Sequence, residues 1–257
     1  MKRSAQLLLL GAVLAAGSAA ASCGDVPTLE NGIAYFTPVQ LPSPAVAAGD
    51  TLRDSLGVAT RLRVHAFTRD SQEIAGLDVT FLPTVLPSTV DIADGFLIAH
   101  DTVGSVQLVG RVSDRLQTSV ATLLIVPQPL SIDRPSGEAE GDTVTLPALR
   151  ALPVTVTGVR GGTRTPVNGI LVRYRIDSLA PATLPRGSAI LATSSGVSQR
   201  PDSTISVDTT KNAGNATRSV LVLAGSGVQK VYVSVTARRL NGPPLQGSPV
   251  RIVVVLK

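Results

Sequence analysis

A chain of 257 residues with Lys+Arg 23 and Asp+Glu 18 has room for one large domain or two small ones. Apolar residues make up 44% and charged residues only 16%, which excludes wholesale disorder, a state that needs low hydrophobicity and high charge. One Cys, one Met, two His and no Trp exclude a disulfide framework and a thiolate metal centre.

The first segment reads as an address. Lys2 and Arg3 precede an apolar stretch from Leu7 to Ala16, and small residues follow from Gly17 to Ser22. Those are the three parts of a secretory leader, and the apolar part is too short to cross a bilayer comfortably. The only cysteine, Cys23, comes directly after Ala20-Ala21-Ser22. This placement resembles the lipobox of bacterial lipoproteins, which implies cleavage of a 1–22 leader and lipidation of Cys23 as the mature N-terminus. Ala20 stands where that pattern usually has Leu, and the competing reading is an ordinary signal peptide with a chance cysteine. Gly24, with Asp25 one place later, resembles the default that sends such lipoproteins to the outer membrane. Acyl chains hold a protein to lipid at about 0.8 kcal/mol per buried CH₂, so two or three give lasting attachment. No later run of about 20 apolar residues predicts a membrane span.

Loss of Lys2 and Arg3 with the leader leaves 21 bases against 18 acids, a net charge of +3. The arginines are spread along the chain (Arg53, Arg61, Arg63, Arg111, Arg173, Arg175, Arg238, Arg239) and rarely meet aromatics. Nucleic-acid binding wants a concentrated basic stripe, so no nucleic acid is expected as a partner.

After a lipidated tether over 23–39, the apolar segments alternate with period two. Leu62, Val64 and Ala66 take one face and Arg61, Arg63 and His65 the other. Leu77, Val79 and Phe81 alternate with Asp78 and Thr80. Ile170, Val172, Tyr174 and Ile176 alternate with Leu171, Arg173, Arg175 and Asp177. Val231, Val233, Val235 and Ala237 alternate with Tyr232, Ser234, Thr236 and Arg238. Each pattern predicts a strand with one buried face. Eighteen prolines and 23 glycines, clustered between these segments, argue against long helices.

The halves also repeat. Leu62-x-Val64 leads through a polar turn to Ile74-Ala75-Gly76-Leu77-Asp78-Val79-Thr80-Phe81. Val154-x-Val156 leads likewise to Val167-Asn168-Gly169-Ile170-Leu171-Val172-Arg173-Tyr174. Each copy then offers a glycine-led strand (Gly104 to Val112; Gly227 to Val235) and a closing apolar strand (Val120 to Val126; Val250 to Leu256). The spacing is domain-sized, so the expectation is two domains, 40–127 and 130–257, joined at Pro127-Gln128-Pro129.

This pattern resembles bacterial immunoglobulin-like domains of the invasin and intimin type, over about residues 40 to 257. The resemblance implies an all-β fold of two tandem immunoglobulin-like β-sandwiches after a cleaved lipoprotein signal peptide. It also implies a non-catalytic structural or adhesive module in the bacterial cell envelope, held to the outer membrane by its N-terminal lipid. The expected partner is a protein or glycan ligand, with no cofactor, on a monomer. An envelope assembly factor and an accessory carbohydrate-binding module of a secreted enzyme system are the alternatives.

Catalytic chemistry is hard to find. His65 and His100 are the only imidazoles, and no Gly-x-Ser-x-Gly elbow occurs around Ser226. Asp133, Glu138, Glu140 and Asp142 follow the junction and are weak calcium candidates, because a domain seam can gather carboxylate oxygens. The apolar runs Val220 to Ala224 and Val250 to Leu256 are read as buried, with strand addition at an open edge as the other possibility.

Overall fold

The structure is a computed structural model that describes residues 32–112, 116–135, 143–144, 148–193 and 203–256. Its early strands are β1 (Tyr35–Phe36), β2 (Ala45–Ala47), β3 (Ala66–Phe67), β4 (Thr80–Val85), β5 (Val90–Ala93) and β6 (Phe96–Ala99). Next come β7 (Gly104–Arg111), β8 (Ala121–Val126), β9 (Pro129–Asp133), β10 (Thr143–Val144), β11 (Ala148–Arg160) and β12 (Thr163–Pro166). The last are β13 (Leu171–Ala180), β14 (Ala189–Ala192), β15 (Ile205–Thr209), β16 (Asn215–Val222), β17 (Lys230–Ala237) and β18 (Val250–Leu256). Among the described residues helix is confined to short 3₁₀ turns such as Pro87–Thr89 and Arg186–Ser188.

A small unit combines residues 32–37 with His65–Leu77. In it β1 and β3 pair antiparallel, and the Tyr35 and Phe67 rings stack with centroids 5.0 Å apart. A turn closed by the Thr68 N–H, which donates to Gln72 O at 2.9 Å, returns the chain, and His65 Nδ1 meets Glu73 Oε1.

Residues Pro38–Val64 and Asp78–Lys257 make the larger unit, and two layered cores lie within it. The first is built on a four-stranded sheet in the order β2-β8-β7-β4, with β2 parallel to β8 and the other pairs antiparallel. The facing layer is the β5–β6 hairpin with irregular segments laid beside it. There the Leu52 N–H donates to Leu97 O and the Leu62 N–H to Gly95 O, each at 2.8 Å. Leu52, Leu97, Val106, Leu108 and Leu123 fill the space between with no exposed surface.

The second core lies between β10-β18-β17-β13-β15 and β12-β11-β16-β14, the latter sheet extended by β9 on β11. Tyr174, Val156, Val172, Val220 and Val235 are fully buried in it. The orders β2-β8-β7-β4 and β10-β18-β17-β13 are the same arrangement, a short strand parallel to the closing strand and then two antiparallel neighbours. The chain is therefore all-β, as the alternation predicts, and forms tandem immunoglobulin-like sandwiches, as the resemblance implies.

Two details differ from what the sequence predicts, and the apolar runs add a third point. The predicted strand from Arg61 to Phe67 forms a ladder only at Ala66–Phe67. Leu62 is buried as expected, but its backbone bonds go to Gly95 while Arg63 bridges Gln40, and two different neighbours cannot make one continuous ladder. Val79 is only half-buried, unlike its counterpart Val172. β16 lies between β11 and β14, whereas β18 has β17 along one side and β10 on the other only at Val255 and Leu256.

The sandwiches also share apolar surface. Ala45 and Val126 belong to the second core cluster, with Leu124 packed against it. Gly169 sits at that seam with φ +80, and a Cβ there would lie 2.7 Å from Ala45 Cβ. Glycine is required twice over, by the left-handed backbone and by the close approach.

Candidate functional site

Cys23, Glu138, Glu140 and Asp142 lie outside the described residues, as do the 1–22 leader and the start of the tether. Asp133, the remaining calcium candidate, ends β9. Its Oδ2 accepts the Ser131 hydroxyl at 2.9 Å and lies 4.0 Å from Arg164 Nη2, so a guanidinium already faces it. Among the described residues no three His, Cys, Asp or Glu side chains gather closely enough to hold a metal ion.

Both histidines face carboxylates. His100, at the end of the β5–β6 hairpin, places Nε2 2.8 Å from Asp91 Oδ2 and Nδ1 2.8 Å from Ser88 O. These bonds raise its pKa above the ordinary imidazole value, Asp91 having the larger effect. With both ring nitrogens engaged, neither is presented to a substrate. His65 is paired with Glu73 in the small unit.

The surface with the most chemistry is the outer face of β15, β13, β17 and β18. Alternation along β13 sends Val172, Tyr174 and Ile176 inward and leaves Arg173, Arg175 and Asp177 outside. Register then assembles rows across the sheet. Arg173 lies between Val207 and Thr236, and Arg175 between Ile205 and Ser234, with Arg251 beyond Ser234. Arg175 is paired with Asp177 at 2.7 Å. The guanidinium groups of Arg173 and Arg251 have no hydrogen-bond or ion-pair partner among the described residues, although the Arg173 carbonyl accepts the Thr236 hydroxyl at 3.4 Å.

Hollows lie on this face. One, of about 280 Å³, runs between Arg173, Arg175 and Arg251. Another, of about 620 Å³, is lined by apolar side chains including Leu171 and Leu240, by Arg173, Arg238 and Arg239, and by the Asp54–Leu56 loop. Arg173, Thr236 and Pro249 line both, so the hollows adjoin.

The outer strand of the face is fastened from behind. Arg218 of β16 pairs with Asp208 of β15 at 3.2 Å, donates through Nε to Ser206 Oγ at 3.0 Å, and donates through Nη2 to Val207 O. Asp208 also accepts the Thr217 N–H at 2.9 Å. Beneath this pair the Tyr174 hydroxyl is buried without a hydrogen-bond partner. Burial, and secondarily the Asp208 charge, push its pKa far up, so the phenol stays neutral.

Along the chain these arginines are scattered. Their signal was Arg173 and Arg175 two residues apart on the polar side of one alternating strand, with Arg238 on the polar side of another. Only the pairing register shows that the polar sides coincide.

No protein-family model matches the chain, and no curated protein matches it. Among solved structures it is similar to domains 4 and 5 of the S-layer protein SbsC, at 14% identity over 86% of this chain and 96% of that one, with a TM-score of 0.30. It is similar also to the D0-D1 domain of intimin, at 14% identity over 86% of this chain and 95% of that one, with a TM-score of 0.27. Fibronectin(III)-like modules of Clostridium thermocellum CbhA match at 13% identity over 86% of this chain and 94% of that one, with a TM-score of 0.29. Likeness at this level carries no argument about function, and the sandwich assignment stands on the ladders themselves.

Proposed function

We propose that the chain is a non-catalytic, lipid-anchored protein of the bacterial cell envelope whose immunoglobulin-like sandwiches serve as a structural and protein-binding module. The observation that supports this reading most directly is the solvent-facing arginine groove on the second sandwich. It is a recognition surface of about 620 Å³ without a nucleophile–base pair among its lining residues. The shared seam at Ala45, Val126 and Gly169 suits a module that presents such a surface from a fixed base. The leader followed by Cys23 supports attachment to the outer membrane through acyl chains.

The anchor is tested by replacing Cys23 with Ser and fractionating the cells. The wild-type protein is expected in the membrane pellet and Cys23→Ser in the soluble envelope fraction; a variant that stays in the pellet refutes lipidation. The binding role is tested by cross-linking at the surface of intact cells, where a reproducible protein neighbour is expected.

A further inference from the structure

Building on the binding-module reading, we propose that the groove beside Arg173 accepts an extended acidic segment of a partner protein, its carboxylates alternating with aliphatic side chains. The charge points to an anion: three arginines, Arg173, Arg238 and Arg239, line the groove against one carboxylate, Asp54. That carboxylate is already occupied, because Asp54 Oδ1 accepts the N–H groups of Leu56 and Val58, both at 2.9 Å. The Arg173 guanidinium has no partner among the described residues, and Arg239 Nε is buried without an acceptor. A guanidinium without an ion-pair partner remains available to an incoming carboxylate. Guanidinium groups are suited to this, since their planar fork matches a carboxylate.

The apolar lining narrows the class. Ile205 and Val207 stand 43% and 48% exposed beside Arg175 and Arg173, a row of aliphatic surface that a bare polyanion has nothing to cover. Among the described residues no Trp, Tyr, Phe or His lines the groove, so these residues offer none of the stacking platforms that sugars and bases use. Simple strand addition to β15 is also disfavoured, because Arg218 already occupies the Val207 carbonyl. Recognition therefore falls to side chains.

The groove is preformed. Gly57 has φ +86, and a Cβ there would lie 2.5 Å from Gly242 Cα, so the wall loop and the 239–242 turn meet backbone to backbone. A wall held this closely reduces the ordering cost of binding.

The test uses the full chain carrying Cys23→Ser and a fluorescein-labelled Asp-Leu-Asp-Pro-Leu-Asp peptide, read by fluorescence anisotropy. Saturable binding is expected, weakened at least about tenfold by Arg173→Glu with Arg238→Glu and about fivefold by Val207→Ser. A matching peptide with Lys in place of Asp should not bind, and unchanged circular dichroism and melting temperature establish that the variants fold. Equal affinity for the arginine-reversed protein overturns the proposal. So does an undiminished affinity in Val207→Ser together with tighter binding of heparin or anionic vesicles, which would make the face a general polyanion site. Absence of peptide binding overturns the groove assignment alone; the module reading fails separately, if cross-linking on intact cells yields no protein neighbour.

Discussion

His100 shows how a single exposed side chain can be tuned by its neighbours. Its ring is held between Asp91 and the Ser88 carbonyl, and both contacts favour the protonated form. An imidazole whose folded pKa exceeds its unfolded value contributes stability that is complete below the unfolded pKa. That contribution disappears as pH rises through the folded pKa. Titration by NMR should therefore give His100 a midpoint above the ordinary 6.5, and Asp91→Asn should bring it back towards that value. A midpoint at or below 6.5 in the wild-type chain would contradict the contact. Val172 and Val79 give a second residue-scale contrast. Val172 is fully buried, so Val172→Asp should cost at least about 3 kcal/mol in urea unfolding. Val79 is half-buried, and its aspartate can reach water, so Val79→Asp should cost roughly 1–2 kcal/mol. Equal losses would place the two valines in equivalent surroundings.

Among the elements, β15 is the one whose position depends most on side-chain chemistry. It is the last strand of its sheet, and such strands expose N–H and C=O groups to unwanted pairing. Arg218 supplies the protection by spanning from β16 of the opposite sheet to Ser206, Val207 and Asp208. The ion pair is mostly sheltered, with side-chain exposures of 17% and 18%. Removing one member leaves the other charge poorly solvated, so Arg218→Ala should destabilise the chain by about 3 kcal/mol. Hydrogen exchange should rise first at the β15 amides. Arg218→Lys should recover little of the loss, because a single ammonium cannot reach three acceptors at once. Full recovery by lysine would reduce the clamp to a simple charge effect.

At the scale of the whole molecule, the seam between the sandwiches makes their stabilities interdependent. Ala45 and Val126 leave the first sandwich's strands to pack in the second core, so neither half buries its apolar surface alone. Calorimetry should show one cooperative transition for the two sandwiches. Gly169→Ala adds a Cβ against Ala45 and forces a left-handed backbone on an L-residue, a cost of about 1–3 kcal/mol. The expected result is a lower melting temperature and separation of the transition into two. An unaltered single transition in Gly169→Ala would show that the seam does not couple them.

The strands around Val172, Val233 and Ile252 were legible because alternation is a local property, and a buried face leaves its period in the chain whatever it packs against. The repeated order of strands was legible for the same reason, since each copy carries the same succession of apolar and glycine-led segments. The Arg61–Phe67 segment misled because alternation reports which side is buried, and says nothing of whether one neighbour or two receive the backbone bonds. The arginine groove was beyond local reading. Whether Arg173 and Arg251 share a face depends on the registers of β13 with β17 and of β17 with β18, and whether a loop walls that face depends on Gly57 meeting Gly242. Sequence by itself determined the all-β class and the side of each strand that faces a core, because the hydrophobic effect acts residue by residue along the chain. Tertiary structure alone decided which distant polar sides coincide, because pairing register is a relation between strands and belongs to neither of them.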